Sequence, residues 1–271
     1  MNEPVIKCNW AVCAICNTEH GEKKIASGWD YEYCTSCKIF TISQCDQCGL
    51  VYLKNQPDIE ATQHIYPKHY YSNFDSDTRR FGIVSFFRKG IEKRKIQNYT
   101  HFLGEGEKAV FDIGSGDGRF LDLISEWNGT SWSLAGIEIL KNAMQAARAK
   151  GYNVKWGDFE TFDLSNFDET MDLVIMHQVI EHTRSPRFVF KKANRLLKKG
   201  GLLSIETPDT CSLDFALFKK RYWGGYHIPR HFYIFNKSNI SQLLREEGFE
   251  IVSCKSILSP VFWIHSVHNY C

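Results

Sequence analysis

The chain has 271 residues, 43% of them hydrophobic and 24% charged, with a formal net charge of +2. This is ordinary globular composition with length for one or two domains; it rules out a disordered tail or fibrous repeat, and the small charge gives no strong field for nucleic acid. No run approaches 18 apolar residues, so no membrane span is expected, and Met1-Asn2-Glu3-Pro4 lacks the pattern of a secretory leader.

Seven of the ten cysteines precede residue 49, and six of these form Cys-x-x-Cys pairs at 13/16, 34/37 and 45/48. In a leaderless, cytoplasmic chain that clustering points to metal rather than disulfides. A structural zinc takes four thiolates, so two pairs suffice. The residue after the second cysteine of such a knuckle must tolerate positive φ, which Asn17 and Gly49 do and Lys38 does not. The expected ligands are therefore Cys13, Cys16, Cys45 and Cys48, with Cys34 and Cys37 at a tip between two strands. Redox use is the lesser alternative, since no βαβ pattern surrounds the motifs. Residues 1–55 add strand-like runs at Ile39–Ser43 and Leu50–Leu53 and form a small module without a core of its own. Residues 56–107 are a linker and helical lead-in. They are irregular through Pro57, Tyr66, Pro67, His69, Tyr70 and Tyr71, then amphipathic from Ile83 to Tyr99 with a solvated basic face.

From 108 onward strands and helices alternate. Ala109–Ile113, Leu134–Ile139, Asn153–Trp156, Met171–Met176 and Leu202–Glu206 read as five strands. Between them lie helices over Phe120–Trp127, over Asn142–Lys150 before Gly151, and from Ser185-Pro186 to Gly200-Gly201. Ser238 is expected to cap a last helix ended by Gly248, followed by a sixth strand over Phe249–Ile257. The alternation predicts an α/β, doubly wound, Rossmann-like sheet over 108–271.

Asp112-Ile113-Gly114-Ser115-Gly116-Asp117-Gly118 joins the first strand to a helix. Glycines there let the backbone approach a ligand whose negative groups meet the free N–H groups of the helix start. Nucleotide and S-adenosylmethionine folds both use such a turn. The spacing here is G-x-G-x-G, whereas the dinucleotide fingerprint is G-x-G-x-x-G. Glu138, ending the second strand, is placed to accept two ribose hydroxyls, and Asp158 with Phe159 could flank an adenine.

Val110–Gly118, Glu138, Gly157-Asp158 and His177-Gln178-Val179-Ile180-Glu181-His182 together resemble a class I S-adenosylmethionine-dependent methyltransferase over about 108–257. Arg230-His231-Phe232 and the Gly-Phe-Glu-Ile-Val run resemble the small-molecule branch that includes ubiquinone-biosynthesis O-methyltransferases. Cys45-x-x-Cys48-Gly-Leu-Val-Tyr and Tyr70-Tyr71 resemble members of that branch with an N-terminal zinc ribbon. The resemblance implies that Gly114, Ser115, Gly116 and Gly118 cradle the methionine part of the cofactor with Asp112 nearby. It puts Glu138 on the ribose, Asp158 and Phe159 at the adenine, and His177 and Gln178 beside the sulfonium.

Methyl transfer to a hydroxyl needs near-attack geometry and a proton acceptor, a role suited to histidine. His182, and His227 and His231 in the aromatic segment Tyr222–Tyr233, are the candidates, and at least one is expected to contact the acceptor. Gln178-x-x-Glu181-His182 is also similar to the metal-binding Glu-x-x-Glu-His of small-RNA 2′-O-methyltransferases, with glutamine, a weaker ligand for a hard cation, in first position. The expected activity is methylation of a small-molecule or carbohydrate-like acceptor at oxygen. The alternatives are ribosomal RNA, with the ribbon touching RNA, sugar C-methylation, and a non-catalytic cofactor-binding scaffold. In the resembling fold a seventh strand inserts antiparallel between the fifth and sixth. Val261, Ile264 and Val267 or His268 follow helical spacing instead, so the last strand is expected to be missing and apolar tail residues, among them Phe262 or Trp263, to be exposed.

Overall fold

The computed structural model describes residues 6–18, 21–66, 82–128, 131–257 and 260–270. Pro67, His69, Tyr70 and Tyr71 lie outside the described residues, as do Met1–Pro4 and Cys271. Two compact units are present. One combines residues 1–68, 180–187 and 207–271, and the other combines 69–179 and 188–206. Residues 207–271, expected with the sheet domain, thus group with the cysteine module.

In the first unit the N-terminal strands are β1 (Cys8–Trp10), β2 (Glu22–Gly28), β3 (Phe40–Cys45), β4 (Val51–Leu53) and β5 (Asn55–Pro57), followed by the short helix α1 (Thr62–Ile65). β1 pairs antiparallel with β5, and β2, β3 and β4 form an antiparallel meander. The buried side of this meander is apolar: Phe40, Ile42, Leu50, Val51 and Leu53 are fully buried.

The second unit begins with α2 (Gly82–Leu103) and continues through β6 (Ala109–Ile113), α3 (Arg119–Asn128), β7 (Ser133–Glu138), α4 (Lys141–Ala149), β8 (Asn153–Trp156) and β9 (Met171–His177). α5 (Pro186–Leu196) then leads into β10 (Leu197–Glu206). The five strands are parallel in the order β10-β9-β6-β7-β8, so both sheet faces must be covered. One face buries Val110, Leu173 and Ile175 against Ile96, Tyr99, Phe120 and Ile124 of α2 and α3. Further along the same face, Val154 packs with Leu121, Met144 and Ala147, and Leu134 packs against both groups. Each fully buried Leu or Ile contributes roughly 1.5–3 kcal/mol, which outweighs the weak intrinsic preference of any one segment. Gly151, at φ 95°, stops α4 as its position requires. The expected stop at Gly200-Gly201 is corrected: α5 ends at Leu196, and Leu197 already pairs with Met171 before a register shift at Leu202.

The chain then returns to the first unit with α6 (Leu213–Phe218), β11 (Tyr233–Ile234), α7 (Lys237–Glu246) and α8 (Pro260–Tyr270). β11 pairs with β4, so the meander becomes a four-stranded sheet of order β11-β4-β3-β2. The module that lacks a core of its own obtains one here from Phe232, Tyr233, Ile234 and Phe235, all buried. The expected Ser238 cap is corrected to Asn236. Its side chain accepts from Asn239 N–H at 2.9 Å, and the Asn239 side chain accepts from Asn236 N–H at 2.8 Å. This is a capping box with asparagine in the place usually held by Glu or Gln.

The sixth strand is also corrected. Gly248, at φ 88°, closes α7 in a Schellman turn, with Phe249 N–H on the Leu244 carbonyl and Gly248 N–H on the Arg245 carbonyl. Residues 249–257 then form no ladder, and Val252 and Ile257 are exposed. The reason is topological. In the resembling fold the sixth strand pairs through a seventh, and the segment that would supply the seventh is here the helix α8. Phe262 and Trp263 are half-buried, while Ile264, Val267 and Tyr270 are the exposed apolar residues of that helix.

Candidate functional site

In the second unit the turn after β6 carries three glycines in left-handed conformations, Gly114 (φ 71°), Gly116 (φ 57°) and Gly118 (φ 81°). At Gly114 a Cβ would sit 2.6 Å from Val179 Cγ2, so a side chain there is excluded by space as well as by backbone. Ser115 is buried and its hydroxyl oxygen has no hydrogen-bond partner among the described residues, which leaves a polar atom for a ligand to satisfy. Glu138 is 2% exposed, and its two carboxylate oxygens accept from Gly116 N–H and Leu140 N–H, each at 2.8 Å. The two N–H donors fix the carboxylate in orientation, and a carboxylate oxygen can accept more than one hydrogen bond.

Asp112 is buried beneath this turn. Burial, reinforced by the Glu138 charge, pushes its carboxyl up to about 8, so it holds a proton at neutral pH. A cation entering the pocket would favour the ionised form. An orphaned hydroxyl, backbone with no room for side chains and two buried carboxyl groups fit a cofactor that carries an amino-acid head and a ribose.

The remaining expected cofactor residues are spread along the carboxyl ends of β8 and β9. Asp158 is half-buried, and its carboxylate accepts from Glu160 N–H at 2.8 Å. Phe159 is buried, with Lys192 Nζ 5.0 Å above its ring and bonded to its carbonyl at 2.5 Å. His177 stands within 3.2 Å of both the Tyr99 and the Ser204 hydroxyls, and burial draws its imidazole down to about 4, leaving it neutral. Gln178 is exposed at φ 55°, held by its N–H on the Glu206 carbonyl at 2.7 Å.

In the first unit the Sγ atoms of Cys13, Cys16, Cys45 and Cys48 lie within 4.8 Å of one another. Asn17 (φ 52°) and Gly49 (φ 72°) adopt the left-handed conformation the knuckle requires, and their N–H groups bond the Cys13 and Cys45 carbonyls at 2.8 and 3.0 Å. Hydrogen bonding from Cys48 draws the Cys13 thiol down to about 5, toward the thiolate a metal needs. Cys34 and Cys37 are exposed and stand outside this group; the positive φ near them falls on Cys34 itself, not on the residue after Cys37. Four converging thiols with two matched knuckles fit a tetrahedral zinc.

The three candidate histidines also converge within the first unit. The His182 ring centroid is 4.5 Å from His231 and 6.0 Å from His227, and His227 is 4.9 Å from His231. Burial, aided by the neighbouring His227, draws His182 down to about 3, and burial draws His231 well below its usual value, so both are neutral. His227 Nδ1 is hydrogen-bonded to Glu32. Burial alone would raise the Glu32 carboxyl, but the hydrogen bond with His227 and the basic groups around it, His265 and Arg230 among them, outweigh it and draw the group below its usual value. Glu32 and His227 line a crevice with Tyr31, Trp223, Ile228 and Asn269.

Behind this cluster Arg230 and Asp30, both 0% exposed, form a two-pronged ion pair at 3.1 and 2.9 Å. The aromatic segment expected to line an acceptor is largely packed away: Trp223, Tyr226, Ile228 and Phe232 are buried, and Trp223 Nε1 donates to Asp214 at 2.7 Å. Glu32 and Asp30 escape a sequence reading focused on histidines, as does Tyr66, whose hydroxyl is 3.2 Å from His182 Nδ1. The alternation Trp29-Asp30-Tyr31-Glu32-Tyr33 before Cys34 is the signal that marks the first two.

A family model described as a methyltransferase domain matches residues 87–254, more than half of the chain. A trans-aconitate 2-methyltransferase of Rhizobium rhizogenes is 32% identical over 102 residues, 37% of this chain and 38% of the relative. A tRNA 5-carboxymethoxyuridine methyltransferase of Escherichia coli is 27% identical over 144 residues, 49% of this chain and 55% of the relative. The chain thus spans between about two fifths and just over half of these curated relatives. Among solved structures, an S-adenosylmethionine-dependent methyltransferase of Thermotoga maritima aligns with TM-score 0.51 and 27% identity, over 68% of this chain and 81% of that one. A Pyrococcus horikoshii protein aligns with TM-score 0.52 and 20% identity, over 66% and 89%, a likeness of fold. The glycine turn, its two carboxylates and the parallel sheet lie inside the matched span, and the chain belongs to the class I S-adenosylmethionine-dependent methyltransferase family.

Proposed function

We propose that the chain transfers a methyl group from S-adenosylmethionine to oxygen of a small-molecule or carbohydrate-like acceptor, with a structural zinc on Cys13, Cys16, Cys45 and Cys48. The observation that carries the cofactor reading is the glycine turn itself, where Gly116 N–H fixes Glu138 and the Ser115 hydroxyl stands buried without a partner among the described residues. When bound, the cofactor supplies an electrophilic methyl on a sulfonium. Gly114, Ser115, Gly116 and Gly118 hold its methionine part, Asp112 answers the amino group, and Glu138 accepts from the ribose. Asp158 and Phe159 border the adenine, with His177 and Gln178 at the carboxyl end of β9. On the acceptor side, Glu32 engages His227 Nδ1 and fixes the ring, and His227 in its neutral form is the group that takes the hydroxyl proton. A small acceptor suits the near-neutral chain, and the cysteine usage suits a reducing, cytoplasmic compartment. RNA is the second reading, favoured by the relative that acts on tRNA.

Methyl-labelled cofactor incubated with the chain and separated small-molecule and RNA fractions decides between them. Label in the small-molecule fraction, lost in His227→Ala while cofactor affinity is kept, is the expected result. Label confined to RNA would overturn the acceptor class, and unchanged turnover in His227→Ala would overturn the base.

A further inference from the structure

We propose that Glu181, His182 and His231 form a second metal site, for a divalent transition ion, separate from the cysteine cluster. Their ligand atoms lie within 4.8 Å of one another inside the first unit. Glu181 and His182 are adjacent in sequence, but His231 comes from 49 residues further on and is brought beside them by folding: Phe232 N–H donates to the Glu181 carbonyl at 2.7 Å.

The hydrogen bonds fix the two imidazoles in the form a metal binds. His231 Nδ1 is 2.8 Å from the Gly225 carbonyl, and His182 Nδ1 is 3.1 Å from the Arg230 carbonyl. A carbonyl only accepts, so each Nδ1 carries the proton and each Nε2 presents a lone pair. Backbone carbonyls on the distal ring nitrogen are the usual outer partners of metal-bound histidine. The Glu181 carboxylate is oriented by the Thr207 hydroxyl, which donates to Oε2 at 2.9 Å, and its Oε1 faces His231 Nε2 at 3.9 Å. That gap is longer than a hydrogen bond. It lies close to the roughly 3–3.5 Å between ligands that share an ion with bonds of about 2.0–2.2 Å.

Two imidazoles and one carboxylate select zinc, manganese, iron(II) or cobalt(II) over magnesium or calcium, and three protein ligands leave positions open. An open position on such an ion takes an oxygen donor and lowers the pKa of a bound hydroxyl, which would make oxygen acceptors that can chelate the favoured class. The site itself does not depend on the acceptor reading, because metal binding is measured without turnover.

The test is cobalt(II) titration of the chelator-treated full chain, followed by elemental analysis and visible spectroscopy. Two ions per chain are expected. One gives intense sulfur-to-cobalt charge transfer, and the other gives only the weak bands of nitrogen and oxygen ligands. His231→Ala and, as the milder change, Glu181→Gln should each weaken the second ion at least tenfold while the thiolate bands persist, which also reports that the first unit is folded. A wild-type chain that takes cobalt only at the thiolates overturns the proposal whatever the variants do, as does a second ion held equally well by both variants.

Discussion

Replacing Asp112 by asparagine should make the ligand-free protein more stable and the cofactor bind more weakly. The carboxyl titrates near 3.8 when free and is pushed up to about 8 by burial and then by the Glu138 charge. A folded value above the unfolded one means a stability contribution fully present below about pH 4 and lost as pH rises through about 8. At pH 7 the unfolded chain has already released this proton and the folded chain has not. At about 1.4 kcal/mol for each pH unit above 3.8, the fold gives up about 4 kcal/mol by pH 7, and asparagine removes that loss. The ceiling on the gain corresponds to a rise in melting temperature of up to roughly 10 °C at pH 7, shrinking toward zero at pH 4. Cofactor binding reverses the balance. A cationic head group favours the carboxylate, so wild-type binding below pH 8 should release close to one proton. Calorimetry in two buffers of different ionisation heat counts that proton, and thermal melts at pH 4 and pH 7 give the stability difference. A variant no more stable at pH 7, or wild-type binding without proton release, would refute the reasoning.

Glu138→Ala removes a charged acceptor of two hydroxyl hydrogen bonds, at about 1.5–3 kcal/mol for bonds of this kind. It should weaken cofactor binding at least tenfold by calorimetry, and equal affinity would reject its place at the ribose. Cys45→Ser should lose the cysteine-bound zinc and loosen the first unit, whereas Cys34→Ser should keep both; elemental analysis with the opposite pattern would overturn the knuckle assignment. Asp30→Ala leaves Arg230 charged in a site where both partners are 0% exposed, and should cost about 3–5 kcal/mol in denaturant melts. A loss under 1 kcal/mol there would mean that water reaches the guanidinium.

The second unit was legible because its signals are local. Each of the five strands is an apolar run bounded by turn residues, and Gly114, Gly116, Gly118 and Gly151 sit where backbone geometry demands them. The knuckles were legible for the same reason, since positive φ at Asn17 and Gly49 is a property of single residues. Phe249–Ile257 has strand-like composition, yet a strand exists only with a partner, and the following segment, α8, is helical rather than a strand. Asn236 outcompetes Ser238 as a cap because Asn239 answers it, a reciprocity that one-residue preferences do not register. The Glu32–His227 and Asp30–Arg230 pairs span 195 and 200 positions, beyond the reach of any spacing rule.

The pairing of β11 with β4 bears on how the chain assembles during synthesis. Val51 and Tyr52 leave the ribosome about 180 residues before Ile234 and Tyr233, their register partners, and Asp30 precedes its arginine by 200. Until then one edge of the meander is open and one acid awaits its counterion, the kind of half-built surface that invites mispairing between nascent chains. Cys13, Cys16, Cys45 and Cys48 are all present within the first 48 residues, so a metal there can tie the meander early. With the proposed zinc in place the cluster would be a clasp for the emerging chain, and zinc supply during synthesis should govern the yield of folded protein.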